Sequence, residues 1–167
     1  MAVIGAENAD NRKDNQMKKI MFVCHGNICR SPMAEFIMKD IVKKAGYADD
    51  FLINSSATST EEIGNNIYPP AQREMKKRKI PFDNHYAVQL KPSDYDKYDL
   101  FVLMDRNNEL NICRIFKNDT EHKIHRLLEF AGRNDDVSDP WYTRRFDIAF
   151  DDIYEGCSAL FQKLISE

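Results

Sequence analysis

Cys24 and Arg30 stand with five residues between them in the segment Val23-Cys24-His25-Gly26-Asn27-Ile28-Cys29-Arg30-Ser31-Pro32. A thiol and a guanidinium at that spacing are parts for anion chemistry. Seven residues can wrap into a cradle whose backbone N–H groups point inward, and Gly26 and Asn27 tolerate the positive φ values such a cradle needs. A helix opening directly after the loop aims its positive end at the same spot. Arg30 adds a planar, permanently charged fork that grips two phosphate oxygens. The combined field favours the thiolate form of Cys24, and a thiolate facing bound phosphorus is a nucleophile. Ser31 can donate its hydroxyl to the sulfur and ease its departure in a second step. A lone cysteine is more often an inert, small apolar residue. A Cys-x5-Arg pair also arises by chance. The weight comes from context: a strand before, Gly-Asn within, Arg-Ser-Pro after, and no second such pair in the chain.

A loop of this kind needs elements to hold it. Lys19–Val23 is a short apolar run suited to a buried strand. Ser31–Ala45 reads as a helix, with Ser31 as its cap, Pro32 in its first turn, Met33, Phe36, Ile37 and Ile41 at helical spacing, and Gly46 ending it. Phe51–Ser55, Leu100–Met104 and Ile124–Leu127 read as further strands, and Pro70–Lys79 and Asn107–Phe116 as helices. Val137–Thr143 is a loop around Pro140. Arg145–Ile165 is a long final helix with an apolar stripe through Phe146, Ala149, Phe150, Ile153, Cys157, Leu160, Phe161 and Leu164. Strands alternating with helices give an α/β single domain with a parallel sheet, here of four strands, flanked by helices on both faces. Ligands of such sheets bind at the carboxyl ends of the strands, where the Cys24 loop lies.

The 167 residues, 43% hydrophobic with a net charge of −3, suit one soluble domain with one sizeable core. That charge supplies no argument for nucleic acid or an anionic membrane, and no apolar stretch reaches the length of a membrane span. The one basic run, Lys76, Lys77, Arg78 and Lys79, reads as a solvated helix face. Residues 1–16 carry no secretory pattern and are expected to be a disordered extension, leaving 17–167 as the working domain. Four cysteines without an export signal point to a reducing compartment rather than a disulfide framework. Cys113 and Cys157 fall on helical apolar stripes and are expected in the core. His25, His85, His122 and His125 lack the company and spacing of metal ligands.

The run CHGNICRSPMAE resembles the phosphate-binding loop of low-molecular-weight protein tyrosine phosphatases, and Asp139-Pro140-Trp141-Tyr142 resembles that family's late acid loop. The likeness extends from about Lys18 to Ile165 and takes in Asn54-Ser55-Ser56-Ala57-Thr58-Ser59, Ile63-Gly64 and Met104-Asp105. It implies a hydrolase that acts on a phosphotyrosine protein or a small aryl phosphate, without metal or other cofactor, with phosphate or vanadate as active-site ligands. Residue by residue it implies Cys24 as nucleophile, Arg30 as clamp and Asp139 as general acid. His25, Gly26, Asn27, Ile28, Cys29 and Ser31 line the substrate site. Asn27 holds the loop through a network with Ser55, Ser31 assists the thiolate, and Trp141 and Tyr142 wall the entrance. A proton donor is needed because phenolate leaves poorly near neutral pH. Asp135 and Asp136 are rivals for that role, but only Asp139 precedes proline and an aromatic pair. His25 can tune the thiolate. The likeness also suggests a protective Cys24–Cys29 disulfide, against which stands a buried Cys29 thiol that only packs. Some members carry an aromatic residue where this chain has Glu61, a negative charge that disfavours acidic peptides.

Three relatives in chemistry compete. Thioredoxin-coupled arsenate reductase shares the cradle but needs two further cysteines near mid-chain, and residues 30–112 contain none. Protein arginine phosphatase carries threonine where this chain has Ile28. A phosphopeptide-binding module without catalysis would lose Cys24 or Asp139, and both are present.

Overall fold

The computed structural model describes residues 17–167, so the expected disorder of residues 1–16 lies outside the described residues. The layers follow from the alternation of one strand. In β1, Lys18–Cys24, the side chains of Ile20, Phe22 and Cys24 join one apolar cluster while Met21 and Val23 join another. Successive strand residues point to opposite faces, so a strand buried on both must be apolar throughout. β1 is therefore central. It pairs in parallel with β2, Phe51–Ala57, and with β3, Leu100–Leu103; β4, Ile124–Arg126, closes the order β2-β1-β3-β4. The result is the four-stranded parallel sheet that the sequence implies.

Helices cover both faces. On one lie α1, Arg30–Lys44, α2, Pro69–Lys77, and the final helix α5, Phe146–Ile165; on the other lies α3, Arg106–Ile115. The stripe expected on the last helix is the buried one, from Phe146 through Phe161, with Leu164 partly buried. Gly156, also buried on α5, lets that helix approach the turn Leu127–Ala131 closely: a Cβ there would fall 2.5 Å from Leu127. α4, Pro140–Thr143, is a single turn where the sequence reads as a loop, because Asp139 caps it and Pro140 fills its first position.

Several local expectations fail for identifiable reasons. Ser31 does not cap α1: the helix starts at Arg30, Cys29 is its cap without a side-chain bond, and the Ser31 hydroxyl is used elsewhere. Cys113 is exposed rather than in the core, since it sits about 100° around α3 from the buried Ile112. Of the basic run, Lys76, Lys77 and Lys79 are exposed as expected, but Arg78 packs over the Phe150 ring and bonds Glu74 and Asp151. No helix among the described residues is long and apolar enough to cross a membrane.

Candidate active site

β1 ends at Cys24, opposite Ala57 of β2, and α1 begins six residues later at Arg30. The intervening turn forms the floor of a cleft. Its one left-handed residue is Asn27, at φ 59°. Gly26 was expected to share that conformation and does not. It is needed for space instead, because a Cβ there would meet Glu62 Cγ at 3.3 Å. Asparagine accepts a left-handed backbone better than other side chains, and here its amide also locks the turn. Asn27 Nδ2 donates to Ser31 Oγ at 2.8 Å and to Ser55 Oγ at 2.9 Å. Asn27 Oδ1 accepts from Val88 N at 3.2 Å and lies 3.1 Å from His85 Nε2. Ser55 Oγ in turn donates to Glu35 at 2.6 Å.

This network settles which way Ser31 faces. Its oxygen already accepts from Asn27, so its single proton is free, and Cys24 Sγ lies 3.0 Å away against 3.5 Å for the Ser56 carbonyl. The backbone N–H of Asn27 also donates to Cys24 Sγ, at 3.3 Å. The sulfur is buried and has two donors within reach, the Ser31 hydroxyl and the Asn27 N–H.

Arg30 is buried at 2% exposure and already tethered. Its Nη1 donates to Asp105 Oδ2 at 2.6 Å and to the Val137 carbonyl at 2.8 Å, while Nη2 reaches Asp139 Oδ2 at 3.3 Å. Burial works against its charge, but Cys24, Asp105 and Asp139 outweigh that and hold the guanidinium above its ordinary range. Asp105 is placed by the carboxyl end of β3, where it caps α3 through Asn108. Asp139 keeps Oδ1 on the Trp141 N–H at 3.0 Å, so the cap of α4 aims its other oxygen into the cleft.

The remaining expected residues arrange themselves around these. Ile28 and Cys29 line the cleft and are buried. Burial, with Cys24 and Asp139 nearby, pushes the Cys29 thiol far up. Trp141, half-exposed, packs its ring 4.8 Å from Tyr68, and Tyr142 stands out into solvent at the mouth. His25 turns to the rim, its Nε2 3.0 Å from Glu61. All twelve residues expected at the site thus gather around one cleft or its supporting network.

Sequence reasoning gave no role to Asp105, His85, Glu35 or Val137. A signal existed only for Asp105, an acidic residue directly after a buried strand and before a helix. The others become relevant through contacts across 20 to 107 positions. Among the described residues, no group of three His, Cys, Asp or Glu is arranged to hold a metal ion.

Comparisons with known proteins agree with this geometry. The profile of the family described as Low molecular weight phosphotyrosine protein phosphatase matches residues 19–167. Low molecular weight protein-tyrosine-phosphatase YfkJ of Bacillus subtilis is 37% identical over 155 residues, covering 90% of this chain and 98% of YfkJ. Its crystal structure superposes with a TM-score of 0.86 at 33% identity, over 90% and 96% of the two chains. Vibrio vulnificus Wzb, solved with benzylphosphonate, gives a TM-score of 0.77 at 25% identity, covering 88% of this chain and 99% of Wzb. A Drosophila arginine phosphatase gives 0.79 at 26% identity, over 88% and 97%.

Proposed function

The chain belongs to the low molecular weight phosphotyrosine protein phosphatase family, a class of phosphoric monoester hydrolases, and on that footing we propose that it hydrolyses phosphotyrosine and small aryl phosphates through a phosphocysteine. The observation that carries this reading is the convergence on one cleft of Cys24 Sγ, with donors at 3.0 and 3.3 Å, and of an Asp139 carboxylate whose Oδ2 lies 3.3 Å from Arg30 Nη2. The phosphoryl group sits over Cys24, its oxygens held by loop N–H groups and by the Arg30 edge not spent on Asp105 and Val137. The sulfur attacks phosphorus, the P–O bond to the aryl group breaks, and Asp139 passes its proton to the departing oxygen. Water then attacks phosphorus, Asp139 takes its proton, and the S–P bond breaks to release phosphate. The Ser31 proton steadies the sulfur as it leaves.

Arginine phosphatase chemistry runs on the same fold in the Drosophila arginine phosphatase. Ile28, buried in the cleft lining, favours an aryl group over a guanidinium. The arsenate reductase reading lacks its cysteines, and a purely binding role leaves Cys24, Ser31 and Asp139 without purpose. Phosphate and vanadate are the expected inhibitory ligands. Cys24 and Cys29 border the same cleft and are both free thiols. Mild peroxide would oxidise Cys24, and Cys29 would then close a disulfide that reductant reverses. A cytoplasmic, reducing setting completes the reading.

The test is a matched panel of phosphotyrosine, phosphoserine and phosphoarginine peptides, with acid-quenched mass spectrometry of the Cys24 peptide during turnover. Preference for phosphotyrosine and one phosphoryl group on Cys24 are expected. Preference for phosphoarginine, or an unmodified Cys24 during turnover, overturns the proposal.

A further inference from the structure

Tyr68 precedes α2 and does not line the cleft, yet it touches both sides of it. Its backbone N–H donates to the Ile28 carbonyl of the catalytic loop at 2.8 Å. On the other side its ring lies 4.8 Å from the Trp141 ring, and its hydroxyl accepts from Arg144 Nη2 at 3.3 Å. Trp141 stands near the start of α4 and Arg144 closes that turn, so one side chain grips the turn towards both ends.

Little else holds the turn. Of Pro140–Thr143 only Pro140 is buried. Among the described residues, the one hydrogen bond that ties residues 140–144 to the fold beyond residues 139–145 is that of Arg144 to Tyr68. Arg144 also has a conformation that needs support. It is left-handed, at φ 60°, and its N–H donates to the Pro140 carbonyl at 2.9 Å to complete the turn. Few residues other than glycine adopt that backbone. The Arg144 guanidinium lies 5.5 Å over the Tyr68 ring and 5.6 Å over the Phe146 ring, contacts that offset the cost. What the turn places is Asp139. Its Oδ1 accepts from the Trp141 N–H at 3.0 Å, and its Oδ2 is thereby left facing Arg30 at 3.3 Å.

We propose that Tyr68 is a positioning residue: with Arg144 it clasps the α4 turn against the catalytic loop and so seats the Asp139 carboxylate for proton transfer. The inference rests on the reading of Asp139 as general acid given above and adds the residue that holds it. The backbone bond to Ile28 survives substitution of the side chain. Loss of the ring therefore spares the nucleophile and the anion cradle and lowers the fraction of enzyme in which the acid is seated. An aromatic pair is worth about 2- to 12-fold in an equilibrium, which sets the scale of the effect.

The test is kcat/KM on aryl phosphates ranging from 4-nitrophenyl phosphate to phenyl phosphate, for wild type, Y68A, Y68F and R144G. A good leaving group departs with little help from an acid, whereas phenolate depends on it. In Y68A, kcat/KM on phenyl phosphate should fall about 2- to 12-fold, with almost no change on 4-nitrophenyl phosphate. Y68F keeps the ring and should recover most of that loss. Glycine takes the left-handed backbone freely, so R144G keeps the turn and opens the clasp from the other side. It should reproduce the Y68A pattern, and it carries the same test if Y68A does not fold. The double variant Y68A/R144G should lose less than the product of the two single losses. A loss equal for all leaving groups, or a lower Tm with kcat/KM unchanged, overturns the positioning role while leaving Asp139 as the acid. If D139N itself shows no dependence on the leaving group, the acid is another residue, and the reading beneath this inference falls with it.

Discussion

The two halves of the catalytic cleft are held by different physics. In the cradle, Cys24 and residues 27–31 are buried and, apart from the Arg30–Asp105 ion pair, fixed by neutral hydrogen bonds, chiefly those of Asn27 to Ser31, Ser55 and Val88. The stretch Arg133–Asp136 that leads towards Asp139 lies at the surface and is fixed by arginines, before Val137 enters the core. Arg133 binds Asp135 through two nitrogens, at 3.0 and 2.5 Å, and reaches back to Asp152 and Glu155 of α5 at 2.8 Å each. Arg126 holds Asn134 and Asp136. Buried neutral networks do not feel salt, whereas exposed ionic ones do. Cys24, the proposed nucleophile, is therefore set rigidly, and Asp139, the proposed proton donor, follows a stretch whose contacts solution conditions can loosen.

That contrast can be broken or sharpened by experiment. The largest effect belongs to Cys24→Ser, which should lower turnover by about four orders of magnitude or more while phosphate binding by calorimetry persists. Residual turnover near wild type would move the nucleophile elsewhere. Asp139→Asn should cost about 10²- to 10⁴-fold on phenyl phosphates with poor leaving groups and much less on 4-nitrophenyl phosphate. A uniform loss across leaving groups would mean that Asp139 is not the proton donor. Asn27→Ala removes the amide that satisfies several buried partners, a cost of about 1–3 kcal/mol. For a chain of this size that lowers Tm by roughly 3–10 °C, with little dependence on salt. The smallest effect is expected for Arg133→Ala: about a two- to five-fold fall in kcat on poor leaving groups at low salt, fading as salt rises. The contrast fails if Asn27→Ala is the salt-sensitive variant, or if Arg133→Ala spares leaving-group dependence and only lowers Tm.

The same contrast explains what the amino-acid sequence discloses. The cradle is contiguous, so Cys24, Asn27, Arg30 and Ser31 are legible as a unit, and the strand before and helix after it follow from apolar runs and Gly46. Ser31 shows the limit of local rules. A serine at a helix start reads as a cap, but its hydroxyl is claimed by Cys24 and Asn27. Gly26 likewise reads as a turn glycine and proves to be a spacer against Glu62. The supports brought in by the fold, His85 behind Asn27 and Val137 beside Arg30, have no local signature because only tertiary packing creates their contacts. Cys113 was expected inside because an apolar stripe on a short helix is ambiguous by one position.

Arg30 touches both halves at once. Its Nη1 is committed to Asp105 and to the Val137 carbonyl, while Nη2 faces Asp139. Anion capture and ordering of the Val137–Asp139 stretch therefore share one guanidinium, and equilibrium linkage makes their influence reciprocal. Whatever stiffens that stretch tightens the hold on phosphate by the same factor that phosphate stiffens it. On the proposed mechanism, product inhibition thus becomes a thermodynamic gauge of how well Asp139 is seated.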